Sequence, residues 1–302
     1  MRMKTALRSS NTALVLVLLT LYVCGTSETA ASQQLPDTID RVRPSIVRVT
    51  SECVYTNNPK EQKGGSAFLV SKEGFALTAA HVVACTTGAL ASQRVEVGLP
   101  LVYSLTDQTQ KKDNFKTIDA DVIERDDAHD VALLKLSRNP IREEIQSGFT
   151  SEGRPLPLMA LGVAVLSART LREGEPVAAS GYPFLLPVLV TNAGIIASTR
   201  FANVFDSRGE GVHVRVTSDF YFADMTVNAG NSGGPVYDAS GEVIGIVFAF
   251  QPAEVVKFIH GAWQQTHGVE DAYAYNSRLA VVVPIAHARA LLTEHAIELP
   301  SQ

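Results

Sequence analysis

The sequence predicts an all-β fold of barrels or sandwiches closed by a C-terminal helix, and three observations predict it. Short runs rich in β-branched and apolar residues follow one another along the chain, with polar or glycine-containing stretches between them. The same style resumes beyond a central stretch of Arg, Glu, Gly, Ser and Pro, so the chain divides into two halves, with no sequence repeat between them. A clear amphipathic helical period closes the chain.

The first residues stand outside this pattern. Arg2, Lys4 and Arg8 form a positive leader, "ALVLVLLTLYVC" from Ala13 to Cys24 is an apolar block of 12 residues, and "GTSETAAS" supplies small residues. This is the layout of a secretory signal peptide over residues 1–31, with cleavage near Gly25 or Ala31. The block is shorter than the ~20 residues that a bilayer crossing takes. An uncleaved signal anchor is the rival reading, and Val23 argues against a lipid on Cys24. No stable membrane span is expected after cleavage. The mature chain, 32–302, is then exported, to the periplasm or beyond.

In the first half, about 40–137, strands are expected at "SIVRVTSECVY", "GSAFLV", "GFALTA", "RVEVGLPLVYSL", "DADVIE" and "DVALLKL". Residues 138–157 read as a linker. In the second half, about 158–298, strands are expected at "EPVAASGY", "LPVLVTNAGIIAST", "GVHVRVTSDF", "EVIGIVFAF" and "LAVVVPI". Pro284 then opens the helix, with Ile285, Ala288, Leu291, Leu292 and Ala296 on one side. One segment fits poorly. In "PAEVVKFIHGAWQQTH", Val255, Val256, Phe258, Ile259, Ala262 and Trp263 stand at helical spacing, which predicts an amphipathic helix over 252–267, as a cover on one barrel or a lid.

Composition is ordinary for a globular chain: 46% hydrophobic, 19% charged and a net charge of −5 over 302 residues. Acidic and basic residues are mixed, and the lack of a basic stripe argues against a nucleic-acid partner. Neither HExxH nor a paired Cys motif occurs, so no metal or cofactor is expected. Without Cys24, Cys53 and Cys85 remain. An even count in an exported chain suggests a disulfide enclosing 31 residues; two buried thiols are the alternative.

The chemistry concentrates at "VNAGNSGGPVY", Val227 to Tyr237. A serine hydroxyl is a weak nucleophile and needs a base, which in turn needs an orienting group. The oxyanion that forms needs inward-pointing amides. Glycines let the backbone turn its amides toward one point, so Gly230 and Ser232 are expected as donors with Asn231 between them, while Gly233 and Gly234 are expected to keep the approach to the hydroxyl clear. Of seven histidines, His81 in "LTAAHVVAC" follows a strand and small residues that would let its ring reach a cleft. His129, His213, His260, His267, His287 and His295 fall in polar loops or helices. Asp130 directly precedes "VALLKL", where a polar loop enters the core, whereas Asp126 and Asp127 lie in the solvated part of that loop.

The order His81, Asp130, Ser232 differs from that of α/β-hydrolases and subtilisins and agrees with the chymotrypsin-like arrangement. With "GGSAFLVSKEGFALTAAHVV", "DVALLKL", "SGYPF", "VTNAGIIAS", "DMTVNAGNSGGPV" and "GEVIGIV", the chain resembles trypsin-like serine proteases of the HtrA/Do-type branch, over roughly Val42 to Ile297. The resemblance implies two six-stranded antiparallel β-barrels with the cleft between them and a C-terminal α-helix. It implies a catalytic triad at His81, Asp130 and Ser232, an oxyanion hole at Gly230, Asn231 and Ser232, and polypeptide substrates. Thr226 would lie at the base of the side-chain pocket, with Phe248, Ala249 and Phe250 as its wall. Lacking a negative charge at Thr226, the pocket would prefer small or medium aliphatic residues.

Two departures stand out. The peptide-binding PDZ domain usual in that branch is not expected here, since only five residues follow the expected terminal helix, and Asn231 stands where digestive relatives have the Asp that pairs with a newly cut N-terminus. A non-proteolytic chaperone or binding protein on the same fold, and a latent protease activated by a partner, are the alternatives.

Overall fold

The structure, a computed structural model, describes residues 34–56, 60–85, 89–101, 115–143, 145, 159–209, 212–253, 256–259, 262–265 and 275–299. The leader with Cys24, most of the 138–157 linker and the end of the "RVEVGLPLVYSL" run lie outside these residues. Residues 34–42 form a helix, α1, that was not anticipated; it leads through a 3₁₀ turn at Arg43–Ser45 into the first strand.

The first six strands are β1 (Ile46–Tyr55), β2 (Glu61–Leu69), β3 (Phe75–Thr78), β4 (Leu90–Pro100), β5 (Phe115–Asp126) and β6 (Val131–Leu136), with a four-residue helix, α2 (Ala80–Val83), between β3 and β4. They close a barrel in the order β1-β2-β3-β6-β5-β4. A second barrel takes β7 (Pro176–Gly181), β8 (Val190–Gly209), β9 (Val212–Asp224), β10 (Pro235–Asp238), β11 (Val243–Ala253) and β14 (Tyr275–Pro284), in the order β10-β11-β14-β9-β8-β7. Every pair in both barrels is antiparallel. The all-β expectation holds.

Side chains alternate across a strand, and this alternation divides the core in three. On β6, Ala132, Leu134 and Leu136 fill the first barrel, while Val131 and Leu133 face a second cluster shared with the other barrel. On β14, Ala280 and Val282 fill the second barrel, while Val281 and Val283 join that shared cluster. The seam between the barrels is therefore a hydrophobic core in its own right, with Phe68, Leu77 and Phe115 from one side against Phe220, Tyr237 and Phe248 from the other.

The terminal helix, α3 (Ile285–Glu294), buries the expected Ile285, Ala288, Leu291 and Leu292 on the seam, with Pro284 at its N-cap. It stops as a Schellman turn: Ala296 adopts φ 52°, its amide donates to Thr293 O, and the Ile297 amide donates to Leu292 O. Ala296 thus lies past the helix rather than on its face. The 252–267 segment is a correction. It holds two short strands, β12 (Val256–Ile259) and β13 (Ala262–Gln265), paired antiparallel with Phe258 opposite Trp263. β-Branched and aromatic residues favour strands, and in these two short runs that preference outweighs the helical spacing. No helix among the described residues is long and apolar enough to cross a membrane.

Candidate active site

Strand β3 runs through Ala79, still extended at φ −76°, ψ 139°, straight into α2, which places His81 in the first turn. β3 pairs with β6, Thr78 opposite Ala132, so Asp130 at the mouth of β6 arrives beside it. Asp130 holds a left-handed φ of 55° and is 1% exposed. Its Oδ1 accepts the His81 amide at 2.8 Å and its Oδ2 meets His81 Nδ1 at 2.8 Å, while its backbone carbonyl accepts the Ala80 amide at 3.2 Å. An ionised carboxylate only accepts, so Nδ1 carries the proton and Nε2 is left as the basic nitrogen. The His81 ring is 23% exposed. Cys53 and Cys85 form the expected disulfide, tying the segment after α2 back to β1.

The serine sits in the loop between β9 and β10. The Asn231 amide donates to Asn228 O at 2.9 Å, and Asn231 Oδ1 accepts the Asn228 amide at 2.9 Å. The Gly233 amide goes to Val247 O and the Gly234 amide to Asn231 O. Those of Gly230 and Ser232 donate to no backbone carbonyl among the described residues. The loop thus spends its other amides on itself and on β11 and leaves the two expected donors available. Gly230 adopts φ 95°, and a Cβ there would stand 2.4 Å from Tyr182 O and 2.8 Å from Phe184 N. The role expected for Gly233 and Gly234 needs correcting. A Cβ on Gly233 would meet Ser66 O and Thr78 Oγ1, both at 2.2 Å, and one on Gly234 would meet Ser180 O at 2.5 Å. These glycines let the loop press against the first barrel and β7.

Phe248 brings the two halves together. The Ser232 hydroxyl donates to Phe248 O at 3.1 Å, and the Phe248 ring meets the His81 ring edge-on, centroids 5.7 Å apart. On its other side Phe248 stacks on Phe220 at 5.5 Å. Its side chain is buried in the seam core, with Ala249 packed against the same cluster. Phe250 instead packs against the interior of the second barrel, whose Met225 and Val227 flank the half-buried Thr226.

The competing groups are engaged elsewhere. Asp126 pairs with His129 and Asp127 with Arg125. His295 pairs with Glu124, and His287 stacks on His129 with centroids 3.9 Å apart. Burial, and then the neighbouring His129, lower the His287 pKa. No group of three or more His, Cys, Asp or Glu side chains that could hold a metal occurs among the described residues.

Sequence reasoning passed over Ser66, which is fully buried. Its amide donates to Ser232 O at 2.8 Å, its hydroxyl donates to Gly230 O at 2.7 Å, and its Oγ accepts the Tyr182 amide at 2.9 Å. A polar residue in the otherwise apolar end of "GGSAFLV" was the available signal.

Comparison with known proteins agrees with this architecture. Residues 65–246 match the trypsin-like peptidase domain family. Serine protease HTRA1A of Danio rerio is 30% identical over 215 residues, which cover 70% of this chain and 36% of that protein. A probable periplasmic serine endoprotease DegP-like of Pseudomonas fulva is 31% identical over 185 residues, 61% of this chain and 29% of that protein. The chain therefore spans about a third of the length of the curated relatives it matches. In fold it is similar to the Rv3671c protease of M. tuberculosis, crystallised in its active form, with a TM-score of 0.51 at 21% identity over 88% of this chain and 86% of that one. With its two closed barrels and a match across both, the chain belongs to the trypsin-like peptidase domain family, where the relatives named here are HtrA-type serine proteases.

Proposed function

We propose that the chain is a serine endopeptidase in which Ser232 is the nucleophile, His81 the general base and Asp130 the orienting carboxylate. The observation that carries this reading is the pair of 2.8 Å bonds from Asp130 to the backbone and ring of His81, on a histidine that shares Phe248 with the Ser232 hydroxyl. Ser232 Oγ turns from Phe248 O toward His81 Nε2, loses its proton to that nitrogen and attacks the peptide carbonyl. The amides of Gly230 and Ser232 hold the oxyanion, and His81 then delivers its proton to the leaving amine. Water repeats the sequence to release the acyl group. Thr226 brings no charge to the side-chain pocket, so small or medium aliphatic residues are preferred before the cut bond. A peptide-library digest cleaved mainly after Lys or Arg contradicts that preference.

The substrates are exported or misfolded polypeptides. The disulfide suits an oxidising compartment, and a relative bears the word periplasmic in its name. The test is a fluorophosphonate probe. It labels Ser232 in the wild-type chain and is lost with Ser232→Ala; absence of labelling in well-folded protein favours the non-proteolytic binding reading. The Ser232–Phe248 bond favours one second reading, a protease that is latent until a peptide displaces that bond. Labelling that appears only after addition of unfolded protein selects it.

A further inference from the structure

Ser66 is a positioning residue for the oxyanion site, and we propose that its hydroxyl, with the turn at Tyr182–Leu186, fixes the direction in which the Gly230 amide points. This inference rests on the function proposed above and adds a residue to it.

A trans peptide unit is planar, so fixing its carbonyl also fixes the N–H on the opposite side. No peptide bond among the described residues is cis. The amide of Gly230 belongs to the same plane as the carbonyl of Ala229, which accepts the Phe184 amide at 2.6 Å. The next plane holds the carbonyl of Gly230, which accepts the Ser66 hydroxyl at 2.7 Å. Both peptide planes flanking the Gly230 Cα are thus anchored by their carbonyls, and the φ of 95° between them is set from both ends.

Ser66 also joins the two anchors. Its Oγ accepts the amide of Tyr182, the residue from which the 182–186 turn starts, and its own amide holds Ser232 O. One buried side chain therefore links β2 of the first barrel, the turn after β7 and both residues that offer amides to an oxyanion. The turn needs such support. Phe184 and Leu185 both take left-handed φ values, 53° and 54°, and Phe184 is 67% exposed, so little packing of its own side chain holds it. A Cβ on Gly64 would run into the Leu185 side chain, the other point where the turn rests on β2.

Ser66→Ala leaves Gly230 O and the Tyr182 amide without this partner while touching neither His81 nor the Ser232 side chain. A peptide aldehyde reads the consequence. Ser232 Oγ adds to the aldehyde carbon, its proton passes to His81, and the carbonyl oxygen becomes the oxyanion that the two amides hold. With concentrations set by the titratable, folded fraction, Ser66→Ala is expected to weaken aldehyde inhibition and kcat in parallel, by roughly tenfold or more, at nearly unchanged KM. Ser66→Thr, which keeps the hydroxyl, is expected to recover most of the loss. A merely structural role would reduce the active fraction and leave the aldehyde affinity of the remainder unchanged. That outcome, with wild-type labelling intact, overturns the role of Ser66 and leaves the protease reading standing. Wild-type protein that neither labels nor binds the aldehyde overturns both. If Ser66→Ala gives no folded protein, Ser66→Cys carries the comparison: its weaker S–H donor predicts a smaller loss in the same direction, and unchanged aldehyde affinity overturns the proposal.

Discussion

The two sides of the seam hold their candidate catalytic groups by different means. On the first barrel, His81 and Asp130 are fixed by side-chain identity: one carboxylate bonds both the backbone and the ring of one histidine, and a disulfide ties down the segment that follows. On the second barrel, Ser232 is fixed through backbone: amides of the loop donate to Asn228, Val247 and Asn231, and glycines stand where a Cβ would collide. A base and its orienting carboxylate, the roles proposed for His81 and Asp130, need only two residues and a strand register. An oxyanion site of the kind proposed at Gly230 and Ser232 needs the absence of side chains and a distant scaffold.

The largest expected effect breaks the first side alone. Asp130→Asn keeps the shape but can present an N–H to the ring and reverse the tautomer, so kcat should fall by roughly 10⁴-fold with the fold intact. Steady-state kinetics alongside a urea melt check both halves of that statement. Removing the disulfide with Cys53→Ser and Cys85→Ser together should cost about 3–4 kcal/mol of stability on a chain-entropy basis. Denaturant unfolding reads this loss, and activity should persist under conditions where the protein remains folded.

The second side responds to a single methyl group. Gly233→Ala forces a Cβ into Ser66 O and Thr78 Oγ1 at a φ of 82°, and strain of this kind costs of order 1–3 kcal/mol before the clash is counted. Fluorophosphonate labelling of Ser232 should slow in the same variant, because the loop that carries it must move. If labelling and stability both match wild type, the contrast between the two sides fails.

The smallest effect concerns a contact shared by both barrels. His287 of α3 lies on His129, the neighbour of Asp130, and burial followed by the His129 charge holds its folded pKa below the ordinary value. Below about pH 6.5 the unfolded chain then binds more protons than the native one. Stability therefore falls as pH drops through the ordinary histidine value and continues to fall toward the lowered folded value. His287→Gln should flatten this slope, as read from urea midpoints between pH 7.5 and pH 5.

Much of the fold was legible because strand alternation is local. The run "DVALLKL" announces a strand buried on both faces, and "LAVVVPI" does the same in the second half. Strand β10, only four residues long and directly after a glycine-rich loop, was too short to carry a period, and α1 lies ahead of the first apolar strand run of the barrels. Strands β12 and β13 were not legible because apolar residues at 255, 256, 258, 259, 262 and 263 suit a helix as well as two short strands. At the site, the chemistry-bearing residue types were legible, while Ser66 was not. Its role consists of bonds to residues 116 and 164 positions away.

By itself the sequence determined the order of the candidate residues His81, Asp130 and Ser232 along the chain, the short alternating strands of an all-β fold in two halves, and Cys53 and Cys85 as a pair able to bridge. Tertiary structure alone decided that Phe248 would touch the His81 ring with its own ring and accept the Ser232 hydroxyl with its carbonyl, that Gly233 would abut Ser66, and that a turn after β7 would hold the peptide ahead of Gly230. The reason is physical. Propensity and periodicity act over a few neighbouring residues, whereas the direction of an amide is set by whatever distant carbonyls and hydroxyls the closed barrels bring against it.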